Sequence, residues 1–417
     1  MPMFKYRFIR YAMLFVGKAL AAVLLLLLFL IIVTGVSPIY DFAPCRPFEG
    51  PDIFNPYRNI DTAHCWKRAN FHTHTRVEGM FNECEMWPGE VYREYMKYGY
   101  DIVTFSNHNE ITEHPFDKEL QANVYEHGYN LLKFHKLVFG SEGENGFDNI
   151  LPLLHSQRQF QLDMLRTESD IVVYNHPYFS ALSNRRMFEK LDGYHIVELD
   201  GGQTTENEHW DWALSAGHYC FGLANDDMHN PRRSWLIAVR CNFLCTPSAS
   251  YEDIRRVLLD GCYYAMRVPD YGKGDWEQKI EGNRSLPYIT GIGVKGDSVY
   301  VSVSEPAARI KVTGQGHDEL LSVYDTDHAG YVMGCKDSYA RFTIYFEGGE
   351  VIYTNPFARY DASAADMPGK GIAHSVNIAL TILYNLMLVL LAAGILWLLY
   401  RLLLKRFVNE KILRKNV

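Results

Sequence analysis

The sequence predicts a mixed α/β protein bracketed by two membrane spans, and three observations carry that prediction. Two uncharged apolar stretches stand near the ends, at residues 19–40 and 376–400. From about 63 to 267, short apolar runs alternate with longer amphipathic stretches, the strand–helix alternation of a parallel α/β layer or barrel. From about 284 to 360, short alternating runs are separated by Gly, Asp and Asn, which predicts a small all-β domain of the sandwich kind.

Each apolar stretch reaches the length of about 20 residues that a bilayer requires. A cleaved signal peptide is the alternative for the first, but its apolar run is long and lacks a clean small-residue cleavage site. Lys5, Arg7, Arg10 and Lys18 precede the first span, and Arg401, Lys405, Arg406, Lys411, Arg414 and Lys415 follow the second. The positive-inside rule then puts residues 1–18 and 401–417 in the cytoplasm as basic tails, with the region between the spans outside it. Removing those basic ends leaves a strongly acidic middle, given the overall charge of −8. That balance offers no electrostatic footprint for nucleic acid and suits bound cations.

Residues 41–62, rich in Pro and Asn, read as a linker. Helices are expected at PGEVYREYMKYG (residues 88–99), opened by Pro88 and closed on Gly99, and at residues 155–168, 205–217 and 250–260. The eight cysteines all lie in the predicted outside region, where disulfides are permitted but spacing does not pair them. Cys241 and Cys245 have no second pair at metal-site spacing and read as structural.

The polar residues at the ends of the apolar runs carry the chemistry. His72 and His74 follow the first run, His108 the second, Glu142 the third and His176 the next; Glu198 falls near the end of the following one, and Asp227 with His229 closes the sixth. In α/β barrels the site lies at the C-terminal ends of the strands, so these side chains are expected on one rim. His-x-His and Asp-x-His place both side chains on one face of a strand. Imidazole with carboxylate suits zinc, manganese or iron. Singly, each such motif is more often a surface or packing feature; together, at one topological position, they predict a metal site. His114, His127, His135, His195, His209 and His218 have no partnered spacing and read as non-ligands. Arg232 and Arg233, after MHNP, are candidates to clamp a substrate anion, and Arg185 with Arg186 is a weaker pair.

FHTHT, FSNHN, FGSE, YNHP and ANDDMHN, in that order, resemble the motifs of the PHP (polymerase and histidinol phosphatase) superfamily over residues 63–267. The resemblance implies a distorted (βα)7 barrel with two or three divalent metal ions. It implies that His72, His74, Glu142 and Asp227 hold one metal, and that Glu142 bridges to a second shared with His176. His108 and His229 would hold a third with an acid near the first motif, here Glu78. His155 is the best-placed further ligand after Glu142. Asn107 stands where the family usually has an acid. The activity implied is hydrolysis of a small-molecule phosphoester by a metal-activated hydroxide, with Asp227 or Asp226 relaying a proton. The DDMH ending and the segments RRSWLIAV and IRRVLLDGCYYAM are similar to a CehA/McbA-like branch of carbamate and ester hydrolases, which supplies an alternative. A non-catalytic binding or sensor protein is the third reading.

Overall fold

The computed structural model of the protein describes residues 2–60, 66–78, 82–201, 204–369 and 371–403. The chain divides into two compact units. One comprises Met1–Asp41, Asp148–Phe160 and His374–Val417, the other Phe42–Phe147 and Gln161–Ala373.

The first unit contains the two long helices, α1 (Pro2–Val33) and, at the other end of the chain, Ile378–Leu403. Their stretches Ala12–Val33 and Ile378–Leu403 are long and apolar enough to cross a bilayer. The first helix thus ends seven residues before the expected limit of residue 40, because the chain turns at Thr34-Gly35 before Pro38. The two helices meet through Ala22, Ile32, Leu388, Ile395 and Leu399. Their other faces present leucines and valines such as Leu24, Leu27, Val389 and Leu390 outward, where water would be an unfavourable partner. The backbone after α1 is tied down by side chains: Tyr384 and Gln157 both donate to the Gly35 carbonyl at 2.9 Å.

The second unit holds nearly all the strands. Nine of them belong to the region read as α/β: β1 (Trp66–Asn70), β2 (Ile102–Val103), β3 (Tyr125–His127), β4 (Lys136–Phe139), β5 (Ile171–Tyr174), β6 (Ile196–Glu198), β7 (Phe221–Leu223), β8 (Arg240–Cys245) and β9 (Tyr263–Arg267). Six follow: β10 (Ile289–Lys295), β11 (Ser298–Thr313), β12 (Glu319–Val332), β13 (Tyr339–Tyr345), β14 (Val351–Thr354) and β15 (Phe357–Tyr360). β3 to β7 form a five-stranded sheet in sequence order.

The other strands of this unit belong to one eleven-stranded sheet whose main path runs β10-β11-β13-β14-β9-β8-β1-β2. The region expected to make a separate sandwich therefore extends the α/β sheet. The join is antiparallel between β9 and β14, from Tyr264 opposite Thr354 to Arg267 opposite Val351. Burial of all of β14 and most of β9 accounts for it, since neither strand has a solvent face to leave at an edge. The expected linker also contributes, because Asp52–Phe54 pairs with β15.

Backbone contacts join seven strands in a circuit. β1 pairs with β2 in parallel; the chain beyond β2 bridges to β3 at His108 and Glu126; β3 to β7 follow; and the chain beyond β7 returns to β1 at Met228 and Thr73. Six of the seven run the same way. β4 is reversed, antiparallel to both β3 and β5. That reversal decides which side chains reach the site.

The expected helices form. α2 (Pro88–Lys97) has Pro88 in its first turn, and the Glu90 carboxylate accepts from the Trp87 N–H at 2.9 Å. Gly99, at φ 79, closes it. α3 (His155–Glu168), α4 (Glu208–Ser215) and α5 (Tyr251–Asp260) follow, the last capped by Ser250 and ended by Gly261 at φ 78. The helix Ile378–Leu403 is α6.

Candidate metal centre

One rim of the seven-strand circuit gathers histidines and carboxylates. His72 and His74 extend β1, and the strand-like exchange of Asp227 N–H to the His72 carbonyl and His74 N–H to the Met228 carbonyl sets the two segments side by side. His108 follows β2, and Glu126 lies in β3. His135 immediately precedes the reversed β4, His176 follows β5, and Asp227 and His229 follow β7. His72, His74 and Glu126 are buried, while the side chains of Asp227, Glu83 and His229 are about one-third exposed and form the opening.

Glu126 is the centre of the arrangement. Its Oε2 lies 3.3 Å from His72 Nε2, 3.4 Å from His74 Nε2 and 3.2 Å from His108 Nε2. Its Oε1 lies 3.2 Å from His135 Nδ1 and 3.1 Å from His176 Nε2. Asp227 Oδ1 completes the first group, at 3.1 Å from His72 Nε2 and 3.2 Å from His74 Nε2. A metal–ligand bond of about 2.1 Å separates neighbouring ligand atoms by about 3.0 Å in an octahedron and about 3.4 Å in a tetrahedron. The four nitrogen–oxygen separations among His72, His74, Glu126 and Asp227 match that spacing. His72 Nε2, though buried between two carboxylates, makes no hydrogen bond, as expected of a lone pair aimed at a shared point. Two further groups have ligand spacing: His108, Glu126 and His135, and, at the opening, His74, Glu83 and His229. The residues fit divalent cations.

The surroundings fix the ligands. Glu198 accepts from His72 Nδ1 at 2.9 Å and from the His176 backbone N–H at 2.9 Å, which sets the His72 tautomer and leaves Nε2 for the centre. Asn175 donates to Glu126 Oε1 at 2.9 Å. His176 and Asp227 have φ of 23 and 51, left-handed conformations that cost a non-glycine residue about 1–3 kcal/mol and concentrate at functional sites.

Electrostatics match a site built for cations. Burial disfavours charge on His72, but Asp227, Glu198 and Glu126 outweigh it and hold its pKa well above the usual value. Burial likewise opposes ionisation of Glu126, and the surrounding His72, His108 and His135 still keep its carboxyl well below the carboxylate range. Burial holds His108 down at about 4, in the neutral form that ligates.

Several expected site residues lie elsewhere. Glu142 is exposed: it follows the C-terminal end of β4, and because β4 is reversed that end points to the opposite rim. Glu126, rather than Glu142, is the carboxylate that stands among the histidines. His155 starts α3 and belongs to the other unit, while His135, read as a non-ligand, stands beside Glu126. Glu78 is exposed, and Glu83 is the acid facing His74 and His108, at 3.1 and 3.5 Å. Asp226 turns away from the centre. Its carboxylate accepts from the N–H groups of Ala238, Val239 and Arg240 and from Tyr95 Oη, so it braces the chain between β7 and β8. Arg232 and Arg233 are exposed; Arg232 reaches Glu85, at 3.8 Å, and Arg233 lies over Trp235. Cys241 is buried in β8, and among the described residues no cysteine joins a metal group. Cys65 falls outside the described residues.

No protein-family model matches the sequence, and no curated protein matches it. The chain is similar to a crystal structure of a two-domain protein from Bacteroides vulgatus that contains a predicted PHP-like metal-dependent phosphoesterase. The two are 15% identical; the match covers 75% of this chain and 99% of that one, with a TM-score of 0.37. The fold and the side chains themselves define a mixed α/β protein with a buried histidine–carboxylate cluster suited to divalent metal ions.

Proposed function

We propose that the protein is a membrane-anchored, metal-dependent phosphoesterase of the PHP type, its seven-strand circuit forming the barrel. The observation that carries this reading is Glu126, whose two oxygens face five histidines within 3.4 Å. His72, His74, Glu126 and Asp227 would hold one divalent cation, and His108, His135 and His176 would hold a second against Glu126. Glu83 and His229 would take a third at the opening. Zinc, manganese and iron all suit such donors. Bound there, the cations would lower the pKa of a water and offset charge on a phosphoryl group. The protein's own contribution is placement. Glu198 fixes His72, Asn175 orients Glu126, and the left-handed backbone at Asp227 turns its carboxylate toward His72 and His74.

The test is turnover of aryl phosphates by the full chain in detergent, loaded with manganese or zinc. Phosphate and vanadate should inhibit competitively. Turnover of aryl carbamates or esters without aryl phosphates would assign the ester hydrolase reading instead. A metal-replete protein that hydrolyses neither class would leave the binding or sensor reading.

We infer from the basic residues at both ends that the termini are cytoplasmic and the metal centre outside. A reporter active only in the cytoplasm, fused after Val417, should be active; its silence would overturn this orientation.

A further inference from the structure

Five large apolar side chains stand outward beside the metal-facing histidines, on the two loops that follow β3 and β5. They are Tyr129, Leu131, Tyr178, Phe179 and Leu182, exposed from 49% at Leu182 to 67% at Leu131. The loops are joined by a backbone hydrogen bond from Ala181 N–H to the Leu132 carbonyl at 2.8 Å. The patch is continuous with the centre. The Tyr129 ring lies 4.7 Å from that of His108, with its hydroxyl donating to the His108 carbonyl, and the Phe179 ring lies 6.4 Å from that of His176. Lys133 extends over Phe179. The opening also carries polar groups, Glu83, Asp227 and His229.

Five such side chains at about half exposure present on the order of 500 Å² of apolar surface, at the upper end of what an isolated soluble domain leaves to water. A buried methylene removes about 30 Å² from water, so this surface is comparable with a chain of about sixteen methylenes. An aromatic ring alone would cover a fraction of it. The same chain carries two helices long and apolar enough to cross a bilayer, whose lipids are themselves amphiphiles.

We propose that the patch is the wall that receives the leaving alcohol, and that the substrate is a phosphoester of a long-chain apolar alcohol. This rests on the phosphoesterase reading and narrows it. The phosphoryl group would sit at the histidine–carboxylate cluster and the chain along Tyr129, Leu131, Phe179 and Leu182. Water adds to phosphorus and the P–O bond to the alcohol breaks, so the products are inorganic phosphate and the long-chain alcohol.

The experiment measures kcat/KM for butyl, hexyl and octyl phosphate with the full chain in phosphatidylcholine nanodiscs, metal-loaded. One wall covering half of each methylene predicts about a twofold gain per carbon, or roughly tenfold or more from butyl to octyl. The double variant Leu131→Ser, Leu182→Ser should retain its metal and lose most of that gain. A second arm offers phosphatidic acid in phosphatidylcholine vesicles. Its hydrolysis would make the bilayer the source, whereas turnover of octyl phosphate alone would point to a free amphiphile. Either supports the apolar wall. Turnover that is equal for butyl and octyl phosphate would overturn the inference and leave the phosphoesterase reading intact. If no alkyl or aryl phosphate is hydrolysed by metal-replete protein, the phosphoesterase reading itself falls and takes this inference with it.

Discussion

Replacing Glu126 by Gln keeps the size and one acceptor oxygen and removes one charge from the point where five imidazoles converge. In the protein, Glu126 Oε2 is within 3.4 Å of three histidine nitrogens and Oε1 within 3.2 Å of two more. Removing one partner from a buried charged group costs about 3–5 kcal/mol, because the remaining charges stay buried and uncompensated. If Glu126 holds the cations as proposed, the loss falls on metal affinity, and about 3–5 kcal/mol is a weakening of roughly two to three and a half orders of magnitude. Glu142→Gln is the control. Its side chain is exposed on the far rim and should leave affinity within about twofold of wild type. The assay is elemental analysis after dialysis against a weak chelator, followed by calorimetric titration with manganese or zinc. Full metal retention by the Glu126 variant, or metal loss by the Glu142 variant, would refute the reversed direction of β4 as the organiser of the site.

Glu198→Gln should weaken metal binding about 10–100-fold by freeing the His72 tautomer; affinity within twofold of wild type would show that Glu198 does not set it. Asp226→Asn should leave metal content at wild type yet lower stability by about 2–3 kcal/mol, since an amide cannot accept from all four donors around it. A thermal melt unchanged by this substitution would contradict the bracing role. His317 faces Asp211 in a second network, where its hydrogen bond to that carboxylate raises its pKa against the opposing effect of burial. A raised folded-state pKa stabilises fully below the unfolded value near 6.5, and the benefit is lost as pH rises through the folded value. His317→Asn should therefore melt lower than wild type at pH 6 and nearly together with it at pH 9. A constant gap across that range would rule the linkage out.

Much of the centre is legible in the sequence because it follows from local rules. His72 with His74 and Asp227 with His229 are two-residue spacings at strand ends, and their placement needs only the strand period and the direction of the strand that precedes them. α2 and α5 are equally local, written by Pro88, Ser250 and the glycines that end them. The acids are harder. Glu126 sits in a strand of three residues, Tyr125–His127, too short for any periodic signal. The resemblance gives Glu142 the bridging role, and its place on the rim follows from KLVF ending beside it, but an apolar run reveals a strand and not its direction. Direction is fixed by pairing with β3 and β5, which is long-range information.

One local clue does bear on direction. Only the eight residues 128–135 separate β3 from β4. A parallel neighbour requires a crossover of about a dozen or more residues, usually through a helix, whereas a short link returns the chain antiparallel. That length alone points β4 the opposite way, takes Glu142 off the rim and puts the residue just before the strand, His135, onto it. The segment from β4 to β5 argues the other way, since it contains the start and body of α3 and yet the two strands are antiparallel. Connection length is therefore decisive when it is too short for a crossover and silent when it is long enough. Where an α/β pattern includes one link that short, the ligand on the strand after it should be sought at its N-terminal end.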